Sequence, residues 1–433
     1  MRGDAETVTA TIVDLTHDGE GVADVDGRRV FVPDALPGER VEIVLRKRRR
    51  KLVEASLVRV LEPSPDRVTP GCEYFGRCGG CALQHLAHSA QITFKQNAVA
   101  QALTRIGRTG PEEWLPPVAS PPWRYRRRAR LGAKYVAGKE RALVGFRERA
   151  GTYLTDMQHC PVLAPPLDGL LGELGGLIAG TSIRERVPQI EAAVVDGVTA
   201  LVLRVLEPPT AADKQAFLDF GVRHGIDIYL QPGGPGTIAP LGEARILSYK
   251  LEAFGLTLQF LPTDFVQVNA AINAELVATA IKLAAIETTD RVLDLYCGLG
   301  NFSLPLAQRA RELLGVEGEA GLVARAVRNA TLNGIANTRF ITADLSKSDW
   351  SFYREAWDIV VLDPPRTGAE VPIAELARSN PRRIVYVSCH PATLARDAGV
   401  LVHQRGYKLK VARVFDMFPH TNHIEALAMF ERS

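Results

Sequence analysis

A chain of 433 residues is too long for one small core, so two or three domains are expected. Its 46% apolar and 23% charged residues are those of a globular protein rather than a disordered one. The formal net charge of +3 excludes little, because the basic residues are clustered and the clusters carry the information.

No apolar run is long enough to cross a bilayer, and Met1-Arg2-Gly3-Asp4-Ala5-Glu6 lacks the apolar core of a signal peptide. The expectation is a cytoplasmic protein with no membrane partner, monomeric by default. Six cysteines in so long a chain do not suggest a disulfide scaffold, and their spacing points to metal binding or catalysis in a reducing compartment.

Residues 7–61 read as short strands punctuated by turns. Val8 to Val13 alternates, and Arg29 to Val32, Val41 to Leu45 and Ala55 to Leu61 continue the pattern, with turn signals at Gly19-Glu20-Gly21 and Asp26-Gly27. Such strands suggest a small OB-like β-barrel, a fold that often binds oligonucleotides. The run Arg46-Lys47-Arg48-Arg49-Arg50-Lys51 falls between two strands, where it attracts phosphate without reading sequence.

Pro63, Pro65 and Pro70 mark a linker, followed by Cys72, Cys78 and Cys81, with Cys160 far downstream. Three close thiols and a distant fourth suit a tetrahedral sulfur site, and spacing alone does not choose between zinc and an iron–sulfur cluster. Residues 89–107 look helical. Then Trp123-Arg124-Tyr125-Arg126-Arg127-Arg128-Ala129-Arg130 opens a strongly basic stretch that only Glu140 and Glu148 oppose. Read as a strand over 125–136, it places Arg124, Arg126, Arg128 and Arg130 on one face. Basic side chains interleaved with Trp123, Tyr125 and Tyr135 suit RNA phosphates and bases. Residues 165–260 alternate helical and strand-like pieces without a catalytic constellation.

From about Leu261 the pattern becomes strand–helix–strand. A helix runs to about Ile286, and strands at Val292 to Tyr296, Leu313 to Glu317, Arg339 to Thr342, Ile359 to Leu362 and Ile384 to Val387 predict a parallel sheet covered on both faces. Lys408 to Phe415 and Ile424 to Phe430, with no helix between them, predict an antiparallel pair. Asp294-Leu295-Tyr296-Cys297-Gly298-Leu299-Gly300-Asn301-Phe302 closes the first strand of this series without the pyrophosphate fingerprint Gly-x-Gly-x-x-Gly. Glu317 ends the second strand, suited to ribose hydroxyls. Asp344 follows the third, suited to an adenine amine, and Asp363-Pro364-Pro365-Arg366 follows the fourth. Acids after successive strands, without a phosphate cradle, fit S-adenosylmethionine better than a dinucleotide.

The fifth strand ends at Cys389, and a helix follows for which Thr393 is the expected N-cap. A thiol beside a helix N-terminus can have a lowered pKa and act as a nucleophile, while a free cysteine is also often a small buried hydrophobe. These residues alone leave both readings open.

Taken together, these motifs resemble the RNA 5-methyluridine methyltransferases, and among them the bacterial ribosomal branch with an N-terminal TRAM domain and a 4Fe-4S cluster. The resemblance covers nearly the whole length and includes Phe418-Pro419-His420-Thr421-Asn422-His423-Ile424-Glu425. It implies an α/β protein with a TRAM, OB-like barrel at 1–62 and a central mixed α/β iron–sulfur domain at 63–262. It also implies a Rossmann-like class I methyltransferase domain at 263–433, with part of 93–125 packing beside it. The cluster ligands would be Cys72, Cys78, Cys81 and Cys160, and Gln267, Tyr296, Asn301, Glu317, Asp344 and Asp363 would line the methyl-donor and uracil pocket. His390 departs from the pattern, standing where many relatives have Asn.

The implied activity is S-adenosylmethionine-dependent formation of 5-methyluridine in 23S ribosomal RNA, on a uridine flipped out of a loop. Because uracil C5 is a poor nucleophile, the Cys389 thiolate would add to C6 and C5 would take the methyl group. By the resemblance, Glu425 would then remove the C5 proton. The same chemistry on transfer RNA, amino-group methylation at the Asp-Pro-Pro-Arg turn, and a non-catalytic RNA-binding scaffold are the alternatives.

Overall fold

The computed structural model describes residues 7–45, 53–149, 151–195, 197–376 and 379–432. The basic run at 46–51 lies outside the described residues. Contacts divide the chain into two compact units: Met1–Lys95 with Phe146–Thr155 and Phe418–Asn422, and Gln96–Gly145 with Asp156–Met417 and His423–Ser433.

In the first unit, β1 (Thr7–Leu15), β2 (Gly21–Val25), β3 (Arg28–Val32), β4 (Arg40–Leu45) and β5 (Val53–Glu62) close a barrel in the order β1-β2-β3-β5-β4. Alternation drives it. Ala10 and Ile12 point inward with Val30, Val32, Val41 and Ile43, while Thr9 and Thr11 face out. Gly21 begins β2 rather than extending a turn, since a Cβ there would lie 2.9 Å from the Ala35 carbonyl. The cysteine segment follows the barrel, and α1 (His88–Ala102) comes after it.

The second unit holds two larger sheets. After a short β6 (Glu113–Trp114), β7 (Arg128–Val136) and β8 (Arg141–Gly145) lead to α2 (Leu171–Ala179), β9 (Gln189–Val195) and β10 (Val198–Arg204). Then come α3 (Ala211–His224), β11 (Ile226–Gln231) and β12 (Ala239–Pro240), completing a sheet of order β12-β11-β10-β9-β7-β8. The pair β13 (Leu247–Leu251) and β14 (Leu256–Phe260) joins it to the final sheet, and β13 escaped the sequence reading.

That final sheet is built from β15 (Arg291–Leu295), β16 (Glu312–Glu317), β17 (Thr338–Thr342), β18 (Ile359–Leu362), β19 (Arg383–Ser388), β20 (Tyr407–Phe415) and β21 (Glu425–Arg432). The helices are α4 (Ala270–Ala284), α5 (Ser303–Ala307), α6 (Ala320–Leu332), α7 (Glu370–Glu375) and α8 (Pro391–Arg405). Strand order is β17-β16-β15-β18-β19-β21-β20-β6, and β21 lies antiparallel between β19 and β20. This is the class I methyltransferase order, with β6 added at the edge beside β20.

The central strands are continuous apolar runs because both their faces are covered. Val360, Leu362, Ile384 and Tyr386 are fully buried and share a core with Val99 and Leu103 from α1 and the turn after it. Full burial of each such side chain contributes roughly 1.5–3 kcal/mol. The order brings the ends of β15, β16, β18 and β19 to one edge, where the expected acids and Cys389 stand.

Candidate active site

The turn after β15 is tight. Tyr296 has φ +63°, Gly298 +57° and Gly300 +100°, and a Cβ on Gly300 would lie 3.2 Å from Leu304. A left-handed aromatic residue is costly and marks a site where the surroundings dictate the backbone. Glu317 at the end of β16 pins this turn, accepting from the Gly298 amide (3.1 Å) and the Glu319 amide (3.0 Å). Beside it opens a cleft of about 470 Å³, lined by Tyr296, Glu317, Asp344, Ser346, Pro365 and Val371 among others. Asp344 is held ionised below its ordinary range by the Ser346 hydroxyl and amide.

Three further expected residues, Asn301, Gln267 and Asp363, stand apart from that lining. The Asn301 carboxamide is engaged by Tyr249 Oη (2.9 Å) and Asn273 (2.9 and 3.1 Å), so it braces the glycine turn against α4. Gln267 is half-buried on the segment leading into α4 and makes no hydrogen bond among the described residues.

Asp294, quoted in the motif but given no role, proves central. It is fully buried; Oδ2 accepts from Ser303, and Oδ1 has no partner. Burial, with repulsion from Asp363 and Glu317, pushes it up to about 7. Burial also raises Asp363 to about 7. A water-poor group of carboxyls with an orphaned oxygen calls for a cation. S-adenosylmethionine, with its sulfonium and ammonium, fits that demand, whereas a pyrophosphate does not.

The thiol lies next to this group. The antiparallel ladder ends on the pair Ser388 and Ala426, and Cys389 and Glu425 are the next residues of the two segments; the two are near enough for the Glu425 carboxyl to act on the thiol. Cys389 is part-exposed, whereas the other thiol of this region, Cys297, is buried. Glu425 is buried, and burial followed by repulsion from Asp363 raises its carboxyl well above the usual range.

The expected lowering of the Cys389 pKa is not found. Burial, then Glu425 and Asp363, push it up to about 11, and the Arg366 guanidinium opposes them. Burial is the largest cause, and the two carboxyls add to it. The N-cap is also corrected: Pro391 is the first helical residue and His390 caps it, Nδ1 accepting from the Thr393 amide at 3.4 Å. His390 therefore serves the helix end.

Asp397, one face of α8 inward, ties the two loops together. Its Oδ2 accepts from Tyr386 Oη (2.7 Å) and the Ala369 amide (2.9 Å). Gly368 is needed there, with φ +81° and a would-be Cβ 2.8 Å from Asp397 Oδ2. Arg366 Nη2 meets His423 Nδ1 at 3.0 Å. Neither Asp397 nor His423 was assigned a role from sequence; an acid on the buried face of a helix was the available signal for the first.

The basic stretch is less naked than its sequence suggests. The Arg128 side chain is largely covered rather than displayed, 13% exposed, donating to the Pro262 carbonyl and facing Glu191 at 3.9 Å. Glu191, brought opposite by the β7–β9 register, also takes Arg130, while Asp168 takes Arg124 and Asp156 takes Lys139 and Arg141. These acids are remote in sequence. Arg124 and Arg130 remain 68% and 70% exposed, and exposed pairs are worth only about 0–1 kcal/mol, so phosphate can displace their partners.

In the first unit, Cys72 and Cys78 are buried and Cys81 is partly so. The Gly80 amide donates to Cys78 Sγ at 3.4 Å. Burial raises the Cys72 thiol while the amides of Tyr74 and Phe75 hydrogen-bond its sulfur. Amides aimed at buried sulfurs suit thiolates that carry charge to a metal. Cys160, in the second unit, is also buried. Among the described residues no group of three or more His, Cys, Asp or Glu is placed to hold a metal ion. No helix among them is long and apolar enough to cross a membrane.

Residues 250–433 match the tRNA (Uracil-5-)-methyltransferase family model and residues 4–58 the TRAM domain. The chain is 49% identical to the 23S rRNA (uracil(1939)-C(5))-methyltransferase RlmD of Nitrosococcus oceani, covering 99% of this chain and 97% of that one. The RlmD of Alkalilimnicola ehrlichii is also 49% identical, with 99% and 97% coverage. Among solved structures, Pyrococcus abyssi tRNA (uracil-54, C5)-methyltransferase in complex with S-adenosyl-L-homocysteine aligns at TM-score 0.75 and 25% identity, over 98% of this chain and 100% of that one.

Proposed function

Since the chain belongs to the RlmD family of 23S rRNA (uracil-C5)-methyltransferases, we propose that it transfers a methyl group from S-adenosylmethionine to C5 of a uridine in 23S ribosomal RNA. The relatives' target, uracil 1939, is the position proposed here. The observation that supports the reading is the nearness of Cys389 to Glu425 beyond the last pair of the β19–β21 ladder, with Asp363 acting electrostatically on both.

The chemistry follows from those three groups. Cys389 sulfur adds to C6, placing electron density at C5; C5 then bonds the methyl carbon as that carbon's bond to the sulfonium sulfur breaks, and the neutral thioether, S-adenosylhomocysteine, leaves. Burial and the neighbouring carboxyls favour the Cys389 thiol over the thiolate; the sulfonium charge of a bound donor favours the thiolate, whose proton goes to solvent so that Glu425 stays ionised for the later step. Glu425 then takes the C5 proton, the C5–H electrons form the C5=C6 double bond, and the thiolate departs. The same burial that raises the Glu425 carboxyl makes its ionised form a stronger base. The target uridine is flipped out of a loop, where unpairing costs least. Labelled methyl transfer to 23S RNA, followed by nucleoside analysis, tests the reading: 5-methyluridine supports it, and a methylated amino group or no product defeats it.

Donor binding should depend on pH. Burial pushes the carboxyls of Asp294 and Asp363 up to about 7, and a bound cation lowers them. Binding therefore expels protons below that pH and none well above it. Calorimetry should show S-adenosylmethionine affinity rising with pH to a plateau above 7, by about tenfold per titrating carboxyl per pH unit below it. S-adenosylhomocysteine, lacking the sulfonium, should rise less, and Asp294→Asn should flatten the donor's profile.

Cys72, Cys78, Cys81 and Cys160 would hold the 4Fe-4S cluster. When bound, it supplies cross-links between distant parts of the chain. Cys72→Ser protein should contain little iron and sulfide, and its melting temperature should fall by at least about 5 °C.

A further inference from the structure

Five residues of the connection between β20 and β21, Phe418–Asn422, belong to the first unit by their contacts. They form a turn closed by the Thr421 amide on the Phe418 carbonyl (3.2 Å), with His420 at φ +67°. Lys95, fully buried, donates Nζ to the Phe418 carbonyl at 2.8 Å. Gln91, also fully buried and one helical turn earlier, accepts from the His420 amide at 2.9 Å through Oε1. Its Nε2 donates to the carbonyls of Leu83 (3.0 Å) and Leu86 (2.8 Å). The amides of Ala82 and Leu83 both donate to the His420 carbonyl at 2.9 Å, and Asn422 reaches Asp18 of the barrel region at 3.3 Å.

So much polar hardware on five backbone residues exceeds what a surface connection needs. A fully buried lysine is rare and is kept where its geometry matters. The connection spans residues 416–424, too long for hairpin register to fix by itself, and Glu425 is the first residue of β21. Strand ends open locally at little cost unless the adjoining chain is held. We infer that Gln91 and Lys95 are positioning residues for proton removal from C5: by clamping the 418–422 turn they fix the chain that delivers Glu425 to the reacting carbon. The inference rests on the reading of Glu425 as the base.

The test uses single turnovers of the full-length protein with a 23S RNA fragment carrying uridine, 5-fluorouridine or 5-deuterouridine at the target. Lys95→Met and Gln91→Met keep side-chain length and remove the polar clamp. Both variants should form the 5-fluorouridine adduct at the wild-type rate, because that step precedes proton removal. With uridine, their covalent adduct should persist at least about tenfold longer, a fraction of what a general base contributes. Deuterium at C5 should slow their turnover more than it slows wild type, which mere loss of folded protein would not do. Should Lys95→Met fold poorly, Gln91→Met carries the test. Adduct release at the wild-type rate, or an equal slowing of fluorouridine adduct formation, overturns the inference. If Glu425→Gln itself traps no adduct, the reading of the base fails instead, and the two failures are told apart.

Discussion

Replacing Cys389 with alanine should reduce methyl transfer to 23S RNA by at least about 10,000-fold, because losing a covalent nucleophile removes the pathway rather than slowing a step. RNA affinity and S-adenosylmethionine affinity should stay within about twofold, since ordinary surface and part-exposed substitutions cost less than about 0.5 kcal/mol. Cys297→Ala is the matching control. That thiol is buried whereas Cys389 is part-exposed, so it cannot reach a substrate base as a substitute nucleophile. Filter binding and radiolabelled methyl incorporation check both variants. Activity in Cys389→Ala near that of wild type would remove the covalent mechanism altogether.

Replacing Glu425 with glutamine should have the opposite signature: the methyl group is transferred once and the RNA then stays attached. Glutamine fills the same buried volume but cannot take a proton, so release should slow by about 100- to 10,000-fold. The direction with pH is fixed by the raised Glu425 carboxyl. In wild type the base works only when ionised, so release should accelerate as pH rises toward its elevated pKa, whereas the variant's slow release should be flat. Denaturing gels of single-turnover reactions at several pH values show both effects. A variant that releases methylated RNA at the wild-type rate places the base elsewhere.

Much of this architecture was legible because local signals were strong. Strand β18 is apolar throughout, β19 from Ile384 to Val387, and β15 is interrupted inside only by Asp294; each is followed by a chemically loaded turn, so both their existence and their functional ends could be read. The barrel followed from alternation and turn residues in the same way. Partnerships that depend on tertiary register were not legible. Arg128 looked like one more exposed cation until the β7–β9 pairing and the Pro262 carbonyl absorbed it. A thiol beside a helix N-terminus could be read as activated or as a small buried hydrophobe, and only the closed fold shows burial, then Glu425 and Asp363, raising its pKa. Asp294 sat in plain view within a motif, yet its unsatisfied oxygen exists only once the sheet is closed around it.

His390 illustrates the reverse case, a residue that looked anomalous and proves locally ordinary. Its Nδ1 supplies the acceptor that a helix beginning at Pro391 needs, which an asparagine side chain also can. The neighbouring position therefore tolerates either side chain, while the thiol's own electrostatics are set by burial first and then by Glu425 and Asp363.

The most direct trial of the account is to digest the covalent RNA complex trapped with Glu425→Gln and identify by mass spectrometry the peptide that carries the nucleotide. The account predicts a methylated uridine monophosphate on the peptide containing Cys389 and on no other. A nucleotide on a different residue, or a complex whose uridine carries no methyl group, would contradict it.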